Sequence, residues 1–165
     1  MLYEIKVVLQ GIDPPVWRVL RVPRQTSLLK FHGMLQKSMG WTNSHLHEFT
    51  TGQKPYKEFK GIWDLEKVFS AKKSFRYVYD MGDGWEHEIT LLGEFEGPDQ
   101  VVCTAGARAC PPEDCGGVPG YYDLLVALSD PDHEEHESMM EWVGGKFDPN
   151  AFDYVKVNKA LRRLR

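Results

Sequence analysis

The sequence holds only three cysteines among its 165 residues, no long apolar run and no familiar phosphate- or acyl-handling signature. Three thiols cannot all pair within one chain, which argues against a disulfide scaffold. No stretch approaches the roughly 18 consecutive apolar residues of a membrane span. The opening residues MLYEIKVVLQ lack the basic and apolar regions of a secretory leader. The expectation is a reduced, soluble, cytoplasmic protein without a membrane partner. There is no P-loop, no GxGxxG behind a strand and no GxSxG elbow, so nucleotide-dependent and α/β-hydrolase chemistry lack sequence support. A surplus of positive charge is missing too: Lys and Arg number 20 against 24 Asp and Glu, for a net charge of −4. That balance argues against a broad phosphate-gripping surface, and so against nucleic acid as a partner. A DNA contact would have to use the basic terminal segment of Lys156, Lys159, Arg162, Arg163 and Arg165, which as a helix is more simply a solvated face.

Aromatics are plentiful, with five Trp, seven Tyr and eight Phe, and the length is enough to bury a sizeable core in a single domain, 1–165. Leu2 to Leu9 and Val16 to Val22, joined through Gly11-Ile12-Asp13-Pro14-Pro15, read as an opening hairpin. Thr26 or Ser27 then caps a helix with Leu28, Phe31, Leu35 and Met39 on one face and Gly40 just past its end. Trp41 to Thr51 reads as a strand entered through Thr42-Asn43-Ser44, which puts His45, His47 and Phe49 on one face. Lys54 to Gly61 is loop-like, and Asp64 caps a short helical turn, Leu65 to Ser70. A second hairpin has Phe75, Tyr77 and Tyr79 on one arm and Trp85, His87, Ile89 and Leu91 on the other, around Met81-Gly82-Asp83-Gly84; one of its faces is aromatic and apolar. The remainder is helical: Tyr121 to Leu128, then Pro131 or Asp132 to Val143 before Gly144-Gly145, then Tyr154 to Leu164 capped by Asp153. The pattern predicts an α+β fold, a mixed or antiparallel sheet that opens with a hairpin and a helix and is covered by C-terminal helices.

The stretch from Cys103 to Tyr122, CTAGARACPPEDCGGVPGYY, stands apart. It gathers all three cysteines, three prolines, four glycines and a Glu-Asp pair. Pro111-Pro112 removes two backbone donors and Gly116-Gly117 frees the next turn, so a long shaped loop is expected here, of the kind that carries function. Cys103, Cys110 and Cys115 could serve zinc only with a further ligand from a histidine, and small, partly buried thiols are the simpler alternative. His45 and His47 on one strand face could chelate a metal. His133 and His136 are three apart rather than four, so His-Glu-Glu-His is not the HExxH of a zincin. Asp83 beside His87 has the residue types of an oriented general base, although a hairpin turn wants Asp83 anyway and an apolar face more often holds a structural histidine. Glu113 and Asp114 become candidate base or metal carboxylates if their loop folds towards a histidine.

The blocks Tyr3-Glu4-Ile5-Lys6, Pro15-Val16-Trp17-Arg18, His45-Leu46-His47-Glu48-Phe49, the run Tyr79 to His87, the run Ala109 to Gly117 and Phe152-Asp153 together resemble the Ri-plasmid third-open-reading-frame family. The resemblance covers nearly the whole chain, and GD-x-WEH and PPEDCGG are its specific marks. It implies a single α+β domain found in bacteria and archaea, often linked with mobile elements, with no assigned biochemical function or catalytic residues. Its members also go by the name of TnpR-type transposon passengers, which points to a resolvase. A serine recombinase needs a nucleophilic serine among arginines that hold the scissile phosphate, and no serine of this chain has that setting.

Two functional readings stand. The preferred one is a non-enzymatic accessory module that binds a protein or peptide in a groove lined by Tyr79, Asp83, Trp85, His87, Glu113, Asp114 and Tyr121, since aromatics and rigid loops are usual recognition material. The alternative is a metal-dependent hydrolase or nuclease, with zinc the possible cofactor, drawing on some of His45, His47, His87, Glu113, Asp114 and the cysteines Cys103, Cys110 and Cys115. What separates them is whether the histidines converge on the 103–117 stretch in space.

Overall fold

The structure, a computed structural model, describes residues 1–50 and 63–164. Six antiparallel strands form one open sheet: β1 (Leu2–Leu9), β2 (Trp17–Pro23), β3 (His47–Thr50), β4 (Ser74–Tyr79), β5 (Trp85–Phe95) and β6 (Val102–Ala107), in the order β3-β4-β5-β1-β2-β6. Among the described residues five helices accompany it: α1 (Leu28–Met39), α2 (Leu65–Ala71), α3 (Gly117–Ser129), α4 (His136–Trp142) and α5 (Tyr154–Leu161). The fold is α+β, as expected, and the sheet is antiparallel throughout. The expected loop over Lys54–Gly61 lies outside the described residues.

The alternation in β1 decides how the sheet faces the core. Tyr3, Ile5, Val7 and Leu9 are buried while Glu4, Lys6 and Val8 are only partly so. Ile5 pairs with Leu20 on one side and Leu91 on the other, joining the two predicted hairpins through β1 and β5. Over this face lies α1, whose Leu28, Phe31, Leu35 and Met39 fall on one stripe and are buried. Its cap is Ser27, which accepts from the Lys30 amide, and Gly40 ends it at φ +107, a conformation that costs glycine little. Asp64 and Asp153 cap α2 and α5 in the same way.

Three boundaries differ from the sequence pattern. The Trp41–Thr51 strand is shorter, because Asn43 at φ +58 turns the chain and pairing begins only at His47. The helix expected from Pro131 starts at His136, after a run of turns. The Cys103–Tyr122 stretch is not one loop: β6 claims its first residues, α3 its last, and only 108–116 is irregular. Small residues in β6 are accepted because Asn158 of α5 covers that sheet edge, its Oδ1 accepting from the Cys103 amide and its Nδ2 donating to the Cys103 carbonyl, both at 2.8 Å. Pro119 is tolerated in α3 because it sits in the first turn, where its missing N–H has no intrahelical partner to lose.

The 108–116 segment is tied down from below. Arg18, 2% exposed, gives its guanidinium to four carbonyls: Ser38, Trp17, Ala107 and Arg108, at 2.7–2.9 Å. The Phe152 ring lies 4.4 Å from the same group. Trp41 Nε1 donates to the Pro111 carbonyl at 3.0 Å. Arg108 and Asp114 adopt positive φ, which side-chain-bearing residues rarely do, and Gly116 ends the segment at φ +94, a conformation open to glycine.

Candidate functional site

Three connections meet at the end of the sheet where β3, β4 and β5 lie side by side: 40–46, the 80–84 turn and 108–116. In the first, the turn at Asn43 and a hydrogen bond from the Ser44 amide to Tyr79 Oη at 3.0 Å place His45 just before β3. In the second, Asp80 follows β4 at φ +60; its Oδ1 accepts from the Gly82 and Asp83 amides at 2.9 and 3.3 Å, leaving Oδ2 free of the turn and on the His45 side. In the third, Pro111-Pro112 delivers Glu113 and Asp114 onto His45.

The result is one imidazole nitrogen ringed by carboxylates. His45 Nε2 lies 2.9 Å from Asp114 Oδ1, 3.6 Å from Asp80 Oδ2 and 3.8 Å from Glu113 Oε2. None of these approaches is aligned as a hydrogen bond, so this fully covered nitrogen atom makes none. The ligand atoms of His45, Asp80 and Asp114 all fall within 4.8 Å of one another, and this is the one such group of His, Cys, Asp and Glu among the described residues.

Glu113 is the most firmly held of the four. Its Oε1 accepts from the Thr42 amide at 2.8 Å, from Thr42 Oγ1 at 3.0 Å and from Tyr79 Oη at 3.1 Å. Its other oxygen, Oε2, shares the Tyr79 hydroxyl at 3.2 Å and lies 3.8 Å from His45 Nε2. Tyr79 is buried, and burial first, with the Glu113 charge adding to it, pushes its phenol up to about 12. The phenol therefore keeps its proton and remains a donor to Glu113 at neutral pH. Asp80 is buried, whereas the Asp114 side chain is 69% exposed, so the cluster is closed on the sheet side and open to solvent on the other.

The family model for plasmid pRiA4b ORF-3-like proteins matches residues 1–156, which include every residue of the cluster. The chain belongs to that family. An uncharacterised protein of Sinorhizobium fredii, y4hQ, is 39% identical, with the alignment covering 98% of this chain and 91% of the relative. A crystal structure of a protein of unknown function, MM3350 from Methanosarcina mazei Go1, superposes with a TM-score of 0.84 at 35% identity, covering 93% of this chain and 96% of that one.

The pRiA4b ORF-3-like fold sorts the sequence-derived candidates into three groups. His45, Glu113, Asp114 and Tyr79 converge. Trp85, Tyr121 and His87 instead belong to the core, at 1%, 0% and 0% exposure, so the aromatic hairpin face is packed against protein and lines no open groove. His87 is stripped of water among Trp41 and Tyr77, which lowers its pKa to about 4; its Nδ1 lies 3.3 Å from the Tyr77 carbonyl, and among the described residues no carboxylate orients it. Asp83 turns the other way and accepts from the Gly116 amide at 3.2 Å, which anchors the start of α3.

The remaining metal candidates separate from the cluster. His47 stacks on His32 at 3.4 Å between ring centroids, because it is the first residue of β3 while His45 lies before the strand. Cys103 is buried in β6, its Sγ–H directed at the Ala105 carbonyl. Cys110 and Cys115 stand outside the group of ligand atoms formed by His45, Asp80 and Asp114, and burial pushes both thiols up to about 12. His136 Nδ1 lies 2.8 Å from the Ala127 carbonyl, and His133 Nδ1 accepts from the Glu135 amide. Asp80 was not among the sequence candidates; its position at a strand end before Met81-Gly82 is fully explained by turn chemistry, and only the fold shows its second oxygen turned to His45. Among the described residues no helix is long and apolar enough to cross a membrane.

Proposed function

We propose that the chain carries a divalent-cation centre held by His45, Asp80 and Asp114, with Glu113 as a fourth donor or as the base beside it, and that this centre activates water for hydrolysis. The observation that carries the proposal is the His45 nitrogen facing three carboxylate oxygens at 2.9, 3.6 and 3.8 Å. Donors bonded to one cation at about 2.1 Å stand roughly 3–4 Å apart, so the spacing supports a shared ion. Without a cation, three negative groups crowd one imidazole, an arrangement with an electrostatic cost that a divalent ion removes.

One imidazole with hard oxygen donors favours manganese or zinc over softer metals. Positions left open on the exposed Asp114 side would carry water, whose acidity the ion raises. Glu113, held by Thr42 through Oε1 and by Tyr79 through both oxygens, would have Oε2 placed to accept that proton. Elemental analysis of purified, untagged protein after incubation with Mn²⁺ or Zn²⁺ and desalting tests the centre. Near-stoichiometric metal that His45→Ala abolishes is the expected result. A ratio near zero, or uptake unchanged in His45→Ala, overturns it.

The protein- or peptide-binding reading keeps one supporting observation. Along α3, Tyr122, Leu125, Val126, Phe147 and Pro149 line an apolar groove of about 410 Å³, and Val126 is 56% exposed. A bound peptide would use this groove rather than the hairpin. Val126→Asp should then abolish any partner captured by wild type while leaving metal uptake unchanged; capture that persists in this variant rules the groove out.

A further inference from the structure

Asp114 belongs to two features at once. It is the exposed member of the His45 cluster, and it also closes one end of a separate cleft of about 330 Å³ between α3 and α4. That volume is at the small end of ligand clefts. The apolar part of its wall is Leu124, Met139 and the half-exposed Trp142; its rim is Asp123 and Glu135. Among the described residues no lysine or arginine lines it.

We infer that this cleft binds a small cationic ligand, a primary ammonium or guanidinium on an apolar stem, and brings it alongside the His45 centre. The inference rests on the cation-centre reading for its chemistry, but not for the binding itself. An apolar stem is matched by Leu124 and Met139, whose surface is removed from water when the cleft fills. The cationic head is matched by the Asp123 and Glu135 carboxylates and by the face of Trp142. With Asp114 drawn towards a metal ion, these two rim carboxylates become the main attraction for the head. The same walls repel a phosphate ester or a carboxylate, so on this side of the centre the chemistry selects against nucleic acid and towards amine-bearing substrates. The acidic run Asp130–Glu141, which the sequence showed only as a charged segment, supplies part of this field.

Calorimetric or NMR titration of the metal-free full chain tests this with four probes: cadaverine, Nα-acetyl-lysine methylamide, hexanoate and pentyl phosphate. The two amines should bind and the two anions should not, with the tighter amine showing whether a free diamine or a lysyl side chain is the natural head. Asp123→Asn with Glu135→Gln should weaken amine binding by about fivefold or more. Both residues are exposed, so the variant is expected to fold, and an unchanged circular-dichroism melt checks it. Amine binding that is absent, equal to hexanoate binding, or unaffected by the double variant overturns the inference. The two proposals fail separately. If manganese loads but amines do not bind, the cleft is wrong and the centre stands; if amines bind but His45→Ala takes up manganese like wild type, the centre is wrong and the cleft stands.

Discussion

Asp114 Oδ1 lies 2.9 Å from His45 Nε2, yet the two make no aligned hydrogen bond, and Asp80 and Glu113 close on the same nitrogen. A pair serving only stability would be expected to align. The arrangement makes a prediction of opposite sign with and without metal. Asp114→Asn removes one of three crowded charges, so the metal-free variant should melt at or slightly above wild type. Wild type should gain stability on adding Mn²⁺, by about 2.7 kcal/mol at a hundredfold excess over Kd, and the variant should gain far less. Thermal melts with EDTA and with Mn²⁺ read both signs. A variant that is destabilised without metal and still stabilised by it would contradict the assignment.

Glu113 and Tyr79 give a second prediction. Tyr79→Phe removes a donor to both Glu113 oxygens and leaves the Ser44 amide without its acceptor. Buried groups left unpaired cost about 1–3 kcal/mol, and loss of an outer partner commonly weakens a metal site about tenfold or more. Urea unfolding and Mn²⁺ titration should show both losses. A stability loss with unchanged metal affinity would confine Tyr79 to a structural role and leave Glu113 outside the centre.

Much of the fold could be read before any coordinates. The β-branched, apolar character of β1 and the alternation in β2, β4 and β5 marked the two hairpins, and Thr26 or Ser27, Asp64 and Asp153 announced their helices because a cap is a local interaction. The site was half legible. Glu113 and Asp114 stood out because Pro111-Pro112 shapes their loop, and the condition set for them, that the loop fold towards a histidine, is met by His45. His47, read as its companion, stacks on His32 instead, since the period of two holds only inside a strand and the strand begins after His45. Asp80 was hidden because its turn role accounts for it completely. The aromatics Trp85 and Tyr121 read as a recognition surface, but composition alone cannot separate a binding face from a core, and here the sheet buries them.

The contact between α3 and the 80–84 turn is tight enough to test by adding one methyl group. Gly117 has φ +70, and a Cβ there would lie 2.5 Å from the Asp83 carbonyl oxygen. Gly144, at φ +80, has open space around the same position. Gly144→Ala should therefore cost only the backbone strain, roughly 1–2 kcal/mol. Gly117→Ala carries that cost and also drives α3 away from the turn, for a total of roughly 2–4 kcal/mol. Because Asp80 and Asp114 flank this contact, Gly117→Ala should also weaken Mn²⁺ binding, while Gly144→Ala should not. Equal effects of the two variants would mean that the contact does not position the cluster.

His87 should set the acid limit of the fold. Its pKa falls from an ordinary 6.5 to about 4, chiefly because burial among Trp41 and Tyr77 disfavours the charged ring. The folded state thus binds fewer protons than the unfolded chain between those two values. The stabilisation is fully present above about pH 6.5 and is lost as pH falls towards 4, by up to about 3 kcal/mol. In His87→Leu this contribution disappears. Carboxylates titrate over the same range, so the informative quantity is the difference in urea midpoint between wild type and variant at each pH. That difference should shift in favour of His87→Leu as the solution is acidified, and a difference constant from pH 7 to 4 would show that the buried imidazole accepts its proton without penalty.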